Sequence, residues 1–216
     1  MFEQLKHLVF EVAPYATLPA IIIGLVKFRT FPVALKVITI HVLIAGLVDL
    51  AGTLLWHYRI NNLFLLHIYT IEECGLILLF YSYLLSDTVP RRIFLYVFLG
   101  FMVFSIANSI FLQPLTRNNT YARSIEAAII ICCAVLFFYK MLSESRLKAP
   151  GQSPYFWINT GLLIYFSGSL VLFTLSNYIR GPQYRQLRLD IWTLHAFFAI
   201  LLYLFIAIGL WKHRRT

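Results

Sequence analysis

Seven stretches of this chain stay apolar for about the 20 residues that a helix needs to cross the hydrocarbon core of a bilayer. They are Val12–Phe28, Pro32–Trp56, Leu63–Leu85, Arg92–Leu112, Tyr121–Leu142, Tyr155–Tyr178 and Leu189–Trp211. No other feature restricts the fold so strongly. A segment inside lipid must satisfy its own backbone hydrogen bonds, which leaves helices or closed barrels. Long continuous apolar runs lack the alternation of barrel strands. The expectation is an all-α integral membrane protein, a single domain over 1–216 built as a bundle of seven transmembrane helices. Charged residues make up only 12% of the 216 and hydrophobic ones 60%, at a mean hydropathy of +0.78. A soluble domain carries about 25% charged residues, so water alone would not solvate this surface. The first segment is short and broken by Pro14, Pro19 and Gly24. It lacks the basic start and cleavage site of a signal peptide and reads as a retained helix.

Basic residues set the expected orientation. One side of the seven segments holds Lys27, Arg29, Lys36, Arg91, Arg92, Lys140, Arg146, Lys148, Lys212, Arg214 and Arg215. The other holds Lys6, Arg59, Arg117, Arg123, Arg180, Arg185 and Arg188. The richer side is expected to be cytoplasmic, with the N-terminus outside and the C-terminus in the cytoplasm. The net charge of +9 then reads as contact with anionic membrane lipids, not with nucleic acid. The implied location is a cell membrane, crossed several times. Cys74, Cys132 and Cys133 fall inside apolar segments without a CxxC and read as packing residues.

Within this frame the informative residues are the polar ones in the segments. His67, Thr70, Glu72 and Glu73 interrupt the third segment, "NNLFLLHIYTIEECG". A central charge costs about 2.5–3.5 kcal/mol on the insertion scale, and each Leu, Ile or Phe returns about 0.3–0.6. The thirteen Leu, Ile and Phe residues of this segment are therefore largely offset by one histidine and two glutamates, unless the carboxylates are protonated, paired or in water. At about 100° per residue, His67, Thr70 and Glu73 form one ridge, while Glu72 points about 140° from His67. Glu73 and His67 are expected to share a pocket, and Glu72 to serve another interface. Asp49, Asn108, Glu126 and His195 fall at similar depth in other segments, which places a polar pocket in the extracytoplasmic half. Blander readings stand beside this one. His67 bonds a backbone carbonyl at the interface, Glu126 pairs with Arg123 at i, i+3, Asp190 caps the seventh helix, and His41 is a lone buried or headgroup histidine towards the cytoplasm. Thr160, Ser167 and Thr174, at spacing seven, read as a packing stripe, and Asn177 closes the sixth helix.

Several chemistries fail on their motifs. The seventh segment has no lysine for a rhodopsin-type Schiff base, and no HExxH zinc pair occurs. The Glu72-Glu73 pair lacks the arginine of the EExxxR proteases, since Ile77 occupies its place. Ser167-Gly168-Ser169 is not a GxSG serine, and His195 is followed at HxxxH spacing by Ala199. No cofactor and no resident metal are expected. The alternative is a metal-dependent membrane hydrolase using the same His, Glu and Asp residues, or a proton-coupled carrier.

The pattern of His67, Tyr69, Thr70 and Glu73, then Phe156, Trp157 and Gly161, then His195, resembles a group of small uncharacterised seven-helix membrane proteins of Bacteroidetes-type bacteria. Those show HxYTxxE in the third helix and FWxxxGLLIYFSG in the sixth; Ile71 stands here where they often have proline. The group is loosely similar to the seven-helix sensory regions of histidine kinases. The resemblance implies the fold and, by analogy, a sensory role. The expected function is therefore ligand binding or sensing. A small ligand would arrive from the extracytoplasmic side, bound by His67, Thr70, Glu73, Asp49, Glu126, His195 and Asn108, with a partner protein carrying any signal. Reporter fusions test the orientation. Fusions after Lys148 are expected to behave as cytoplasmic and those at Asn118 as extracytoplasmic; the reverse pattern would invert the depth assignment.

Overall fold

Each apolar segment closes its backbone bonds as a helix, and polar or proline-bearing turns end it. The computed structural model describes residues 2–143, 150–176, 179 and 182–213. Eight α-helices form: α1 Phe2–Val12, α2 Leu18–Lys27, α3 Val33–His57, α4 Leu63–Leu84, α5 Arg91–Ala107, α6 Thr120–Ser143, α7 Pro154–Ser176 and α8 Arg185–Lys212. Seven spans are long and apolar enough to cross a membrane, and no strand occurs among the described residues. The bundle is the expected one, and three details of the span ends were not foreseen. The first span runs Lys6–Thr30, longer than expected, because α1 and α2 continue each other through a 3-10 turn at Ala13–Tyr15. Pro14 lies in that turn and Pro19 in the first turn of α2, where a missing N–H costs little. The fourth span ends in a π-helical turn, Asn108–Leu112. The last helix begins at Arg185, so Asp190 lies inside it and is not its cap. Asp190 instead accepts an ion pair from Lys6 of α1 at 2.6 Å. Asn177, Arg146, Lys148, Arg180, Arg214 and Arg215 lie outside the described residues.

The spans pack as a ring. α7 packs on α6 and α8, α2 lies between α8 and α3, and α4 touches α3, α5 and α6. Lys27 at the end of α2 closes the ring by donating to the carbonyls of Trp211 (2.7 Å) and His213 (3.0 Å). Asn159 of α7 joins three helices: it accepts from the Tyr81 hydroxyl of α4 at 2.7 Å and donates to the Ala134 carbonyl of α6 at 3.1 Å. α3 ends at His57, and two residues on Arg59 is left-handed, with a φ of 56; the N–H groups of Arg59 and Ile60 then satisfy the carbonyls of Trp56 and Leu55.

Small residues set the α7–α8 approach, but not the expected ones. Ser167 and Thr174 are exposed, and Thr160 and Thr174 bond back to Phe156 and Leu170 on their own helix. The contact line runs one residue further on, through Gly161 and Gly168, with Gly209 of α8. A Cβ at Gly209 would lie 2.7 Å from the Pro154 carbonyl oxygen, which belongs to the backbone and has little freedom to yield. Gly100 has nothing within 4 Å of the same position. Thermal unfolding in detergent should therefore separate the two. Gly209→Ala is expected to lose about 1–3 kcal/mol by overpacking. Gly100→Ala should be neutral or gain up to about 1 kcal/mol from helix propensity.

Candidate functional site

α4 is packed against three helices, so a polar side chain on its inner face has partners on several sides. Glu73, the eleventh residue of α4, is 1% exposed at the middle of the span. Arg123, near the start of α6, reaches inward and pairs with it through Nη1. The same Nη1 lies 3.1 Å from Glu126 Oε2, one turn along α6. The Tyr69 hydroxyl donates to Glu73 Oε1 at 2.9 Å. The guanidinium also stands over the rings of Tyr69 (5.4 Å) and Phe173 (5.5 Å), which shield it from lipid and attract its charge. One arginine thus joins α4, α6 and α7.

His41 is the unexpected member. It is 0% exposed, stacks on the Tyr69 ring, and stands between the two glutamates. Nδ1 is 3.6 Å from Glu72 Oε1, and Nε2 is 3.9 Å from Glu73 Oε1. The lone-histidine reading is corrected: depth was counted from segment ends, which put the glutamates too far out and His41 too far in. Glu73 is central in α4, and His41 sits eight residues, about 12 Å, from the start of α3. Those heights meet.

Glu72 points elsewhere, as its helical angle requires. Its side chain is 18% exposed and lies in the wall of a groove of about 840 Å³ between α3, α4 and α5. Ile40 and Ile44 of α3, Ile71, Leu76 and Leu79 of α4, and Phe94 and Phe98 of α5 are among the apolar residues that line it. Arg91 and Arg92 stand at one end of it.

His67 and Thr70 are buried on the same ridge as Glu73, so the ridge faces inward. The expected His67–Glu73 pocket does not form. Nε2 of His67 donates to the Arg117 carbonyl at 3.0 Å, and Nδ1 meets the Ser109 hydroxyl at 2.7 Å. The drift of about 60° per three residues carries His67 towards the end of α5 and Glu73 towards α3 and α6. Thr70 bonds back to the Leu66 carbonyl at 2.6 Å. Asn108 donates to Asn119 at 2.9 Å, within the same staple of the 113–119 turn. Asp49 is exposed and lines a smaller groove of about 380 Å³ with Gly52, Trp56 and Asn62. His195 meets Ser169 at 3.3 Å within a ring of Tyr165, Phe173 and Trp192. Phe173 separates it from Arg123. Of the seven expected residues, the structure therefore brings Glu73 and Glu126 into one cluster, with His41, Tyr69, Glu72 and Arg123. It leaves His67, Thr70, Asn108, Asp49 and His195 around that cluster.

None of the described cavities is lined by Glu73, Arg123 or Glu126. Among the described residues no three His, Cys, Asp or Glu side chains are placed to hold a metal ion. No family model, curated protein or solved structure matches the chain.

Removing one member of a buried ion pair costs about 3–5 kcal/mol, because the other charge is left uncompensated. Glu73→Gln and Arg123→Gln are each expected to destabilise on that scale. The double variant should cost clearly less than their sum in a thermal-unfolding cycle. His67→Ala combined with Glu73→Ala should instead be additive within about 0.5 kcal/mol, as for residues with no shared partner.

Proposed function

We propose that this chain is a membrane-embedded ligand-binding protein of the sensory kind, and that its ligand is a lipid-phase molecule seated in the groove between α3, α4 and α5. One observation carries the reading: Glu72 stands in the groove wall and contacts His41, which contacts Glu73 of the ionic cluster. The groove's volume of about 840 Å³ lies in the usual range for ligand sites, about 300–1,000 Å³. Its walls are apolar, with the Glu72 side chain among them and its carboxyl oxygens buried, which suits a hydrophobic body. Such a molecule would arrive sideways from the bilayer. A small polar ligand arriving through water has no described cavity at the cluster to occupy.

Sensing follows from the contacts. A ligand seated in the groove competes for the room that the Glu72 side chain occupies beside His41. That competition changes the surroundings of Glu73 and so of Arg123, which links α4 to α6 and α7. A partner protein would then read the altered helix packing. The hydrolase alternative has no observation in its favour, since the expected metal ligands are dispersed.

The test is native mass spectrometry of protein purified in mild detergent, with identification of any co-purifying hydrophobic molecule. Leu79→Trp fills the groove and is expected to abolish retention. Leu54→Trp, on an exposed part of α3 outside the groove, should retain it. Equal retention by both variants, or none by the native chain, would overturn the groove as the site.

A further inference from the structure

The charges of the central cluster do not balance. Glu72, Glu73 and Glu126 supply three carboxyl groups, and Arg123 supplies one permanent cation. Both oxygens of Glu72, Oε1 of Glu126 and both ring nitrogens of His41 are buried without a hydrogen-bond partner. Uncompensated charge in an apolar interior is costly enough that such groups hold protons instead. Besides Lys36, Asp49 and His57 on its own helix, the titratable groups around His41 and Glu73 are Tyr69, Glu72 and Cys74 on α4, Arg123 and Glu126 on α6, Tyr165 on α7 and Tyr203 on α8. α2 carries only Lys27, at its far end, and α5 only Arg91 and Arg92 at its start and the exposed Tyr96.

We infer that His41 is a proton relay between the groove and the ionic cluster, passing a proton from Glu72 to Glu73. Its two nitrogens face two different carboxylates at 3.6 and 3.9 Å, and neither is tied to anything else. Movements of about an ångström bring each contact to hydrogen-bond length. The step balances. The carboxylic acid of Glu72 gives its proton to Nδ1, and Nε2–H gives its proton to the Glu73 carboxylate. Glu72 ends as carboxylate, Glu73 as acid, and the imidazole is neutral throughout with its tautomer exchanged. Net charge is unchanged, and no other reactant is needed. Once Glu73 is neutral, the Arg123 guanidinium is held by Glu126, which already contacts the same Nη1. The transfer thus moves the partner of Arg123 from α4 to α6. It does not depend on which molecule fills the groove.

Nitrogen NMR of the histidine rings in the full-length protein tests this, with infrared detection of protonated carboxyl groups. His41 is assigned among the six histidines by the loss of its signal in His41→Gln. The native chain is expected to show both neutral tautomers of His41 in exchange, and a carboxylic acid band at neutral pH. Glu72→Gln should collapse His41 to one tautomer and remove that part of the band. Should this variant not fold, Glu72→Asp draws the carboxylate back by one methylene, and the same collapse is expected. A single tautomer in the native chain that Glu72 variants leave unchanged would overturn the relay. So would the absence of any protonated carboxyl group. Retention of a groove ligand by native mass spectrometry is read separately, so failure of the relay and failure of the groove assignment are distinguishable.

Discussion

One guanidinium shared by two carboxylates is the constraint on which this bundle turns. Arg123 is brought into an apolar interior by α6, and Glu73 comes from α4, fifty residues away. Neither residue would be stable there alone. A charge at membrane depth needs a partner, and here the partners lie on different helices, so meeting the need also fixes the arrangement of the helices. The aromatic rings of Tyr69 and Phe173 complete the enclosure and bring α7 into contact with the same charge. Dispersion and small-residue packing hold the remaining contacts, as between Gly209 and Pro154. Those contacts are close but not selective. The ion pair is selective, because only one register of α4 against α6 makes it.

The bundle could be read from the sequence because its cause is local. Each span is long, apolar and ended by residues that interrupt helices, and the solvent imposes the rest. Facing within α4 was also legible: helical angle alone separated Glu72 from Glu73, and the structure places them in a groove and in the core respectively. The i, i+3 pairing of Arg123 with Glu126 was legible for the same reason. Partnership between helices was not. His67 and Glu73 lie on one ridge, yet each turn of α4 meets a different neighbour, and nothing in a single sequence says which. The place of His41 was not legible either, because spans differ in length and offset and distance from a helix end does not give depth. Three carboxyl groups with one nearby arginine were a visible signal that another basic side chain was needed. Counting charges across segments would have pointed to the one histidine within reach.

The arrangement links two environments that differ in kind. The groove is open to lipid and almost without polar groups, while the cluster is closed and saturated with them. Glu72 and His41 are the contact between the two. Two contacts, Glu72 to His41 and His41 to Glu73, thus span the distance from the groove wall to an ion pair that three helices share.

Synthesis order gives the α4 carboxyl groups a history. α4 is made before α6, and the fifty residues between Glu73 and Arg123 take about 3–10 s at ordinary elongation rates. Until Arg123 is added, the basic side chain that this fold sets between the two glutamates is His41. The hairpin of α3 and α4 thus carries a basic partner for its own two acids, and α6 adds the permanent cation.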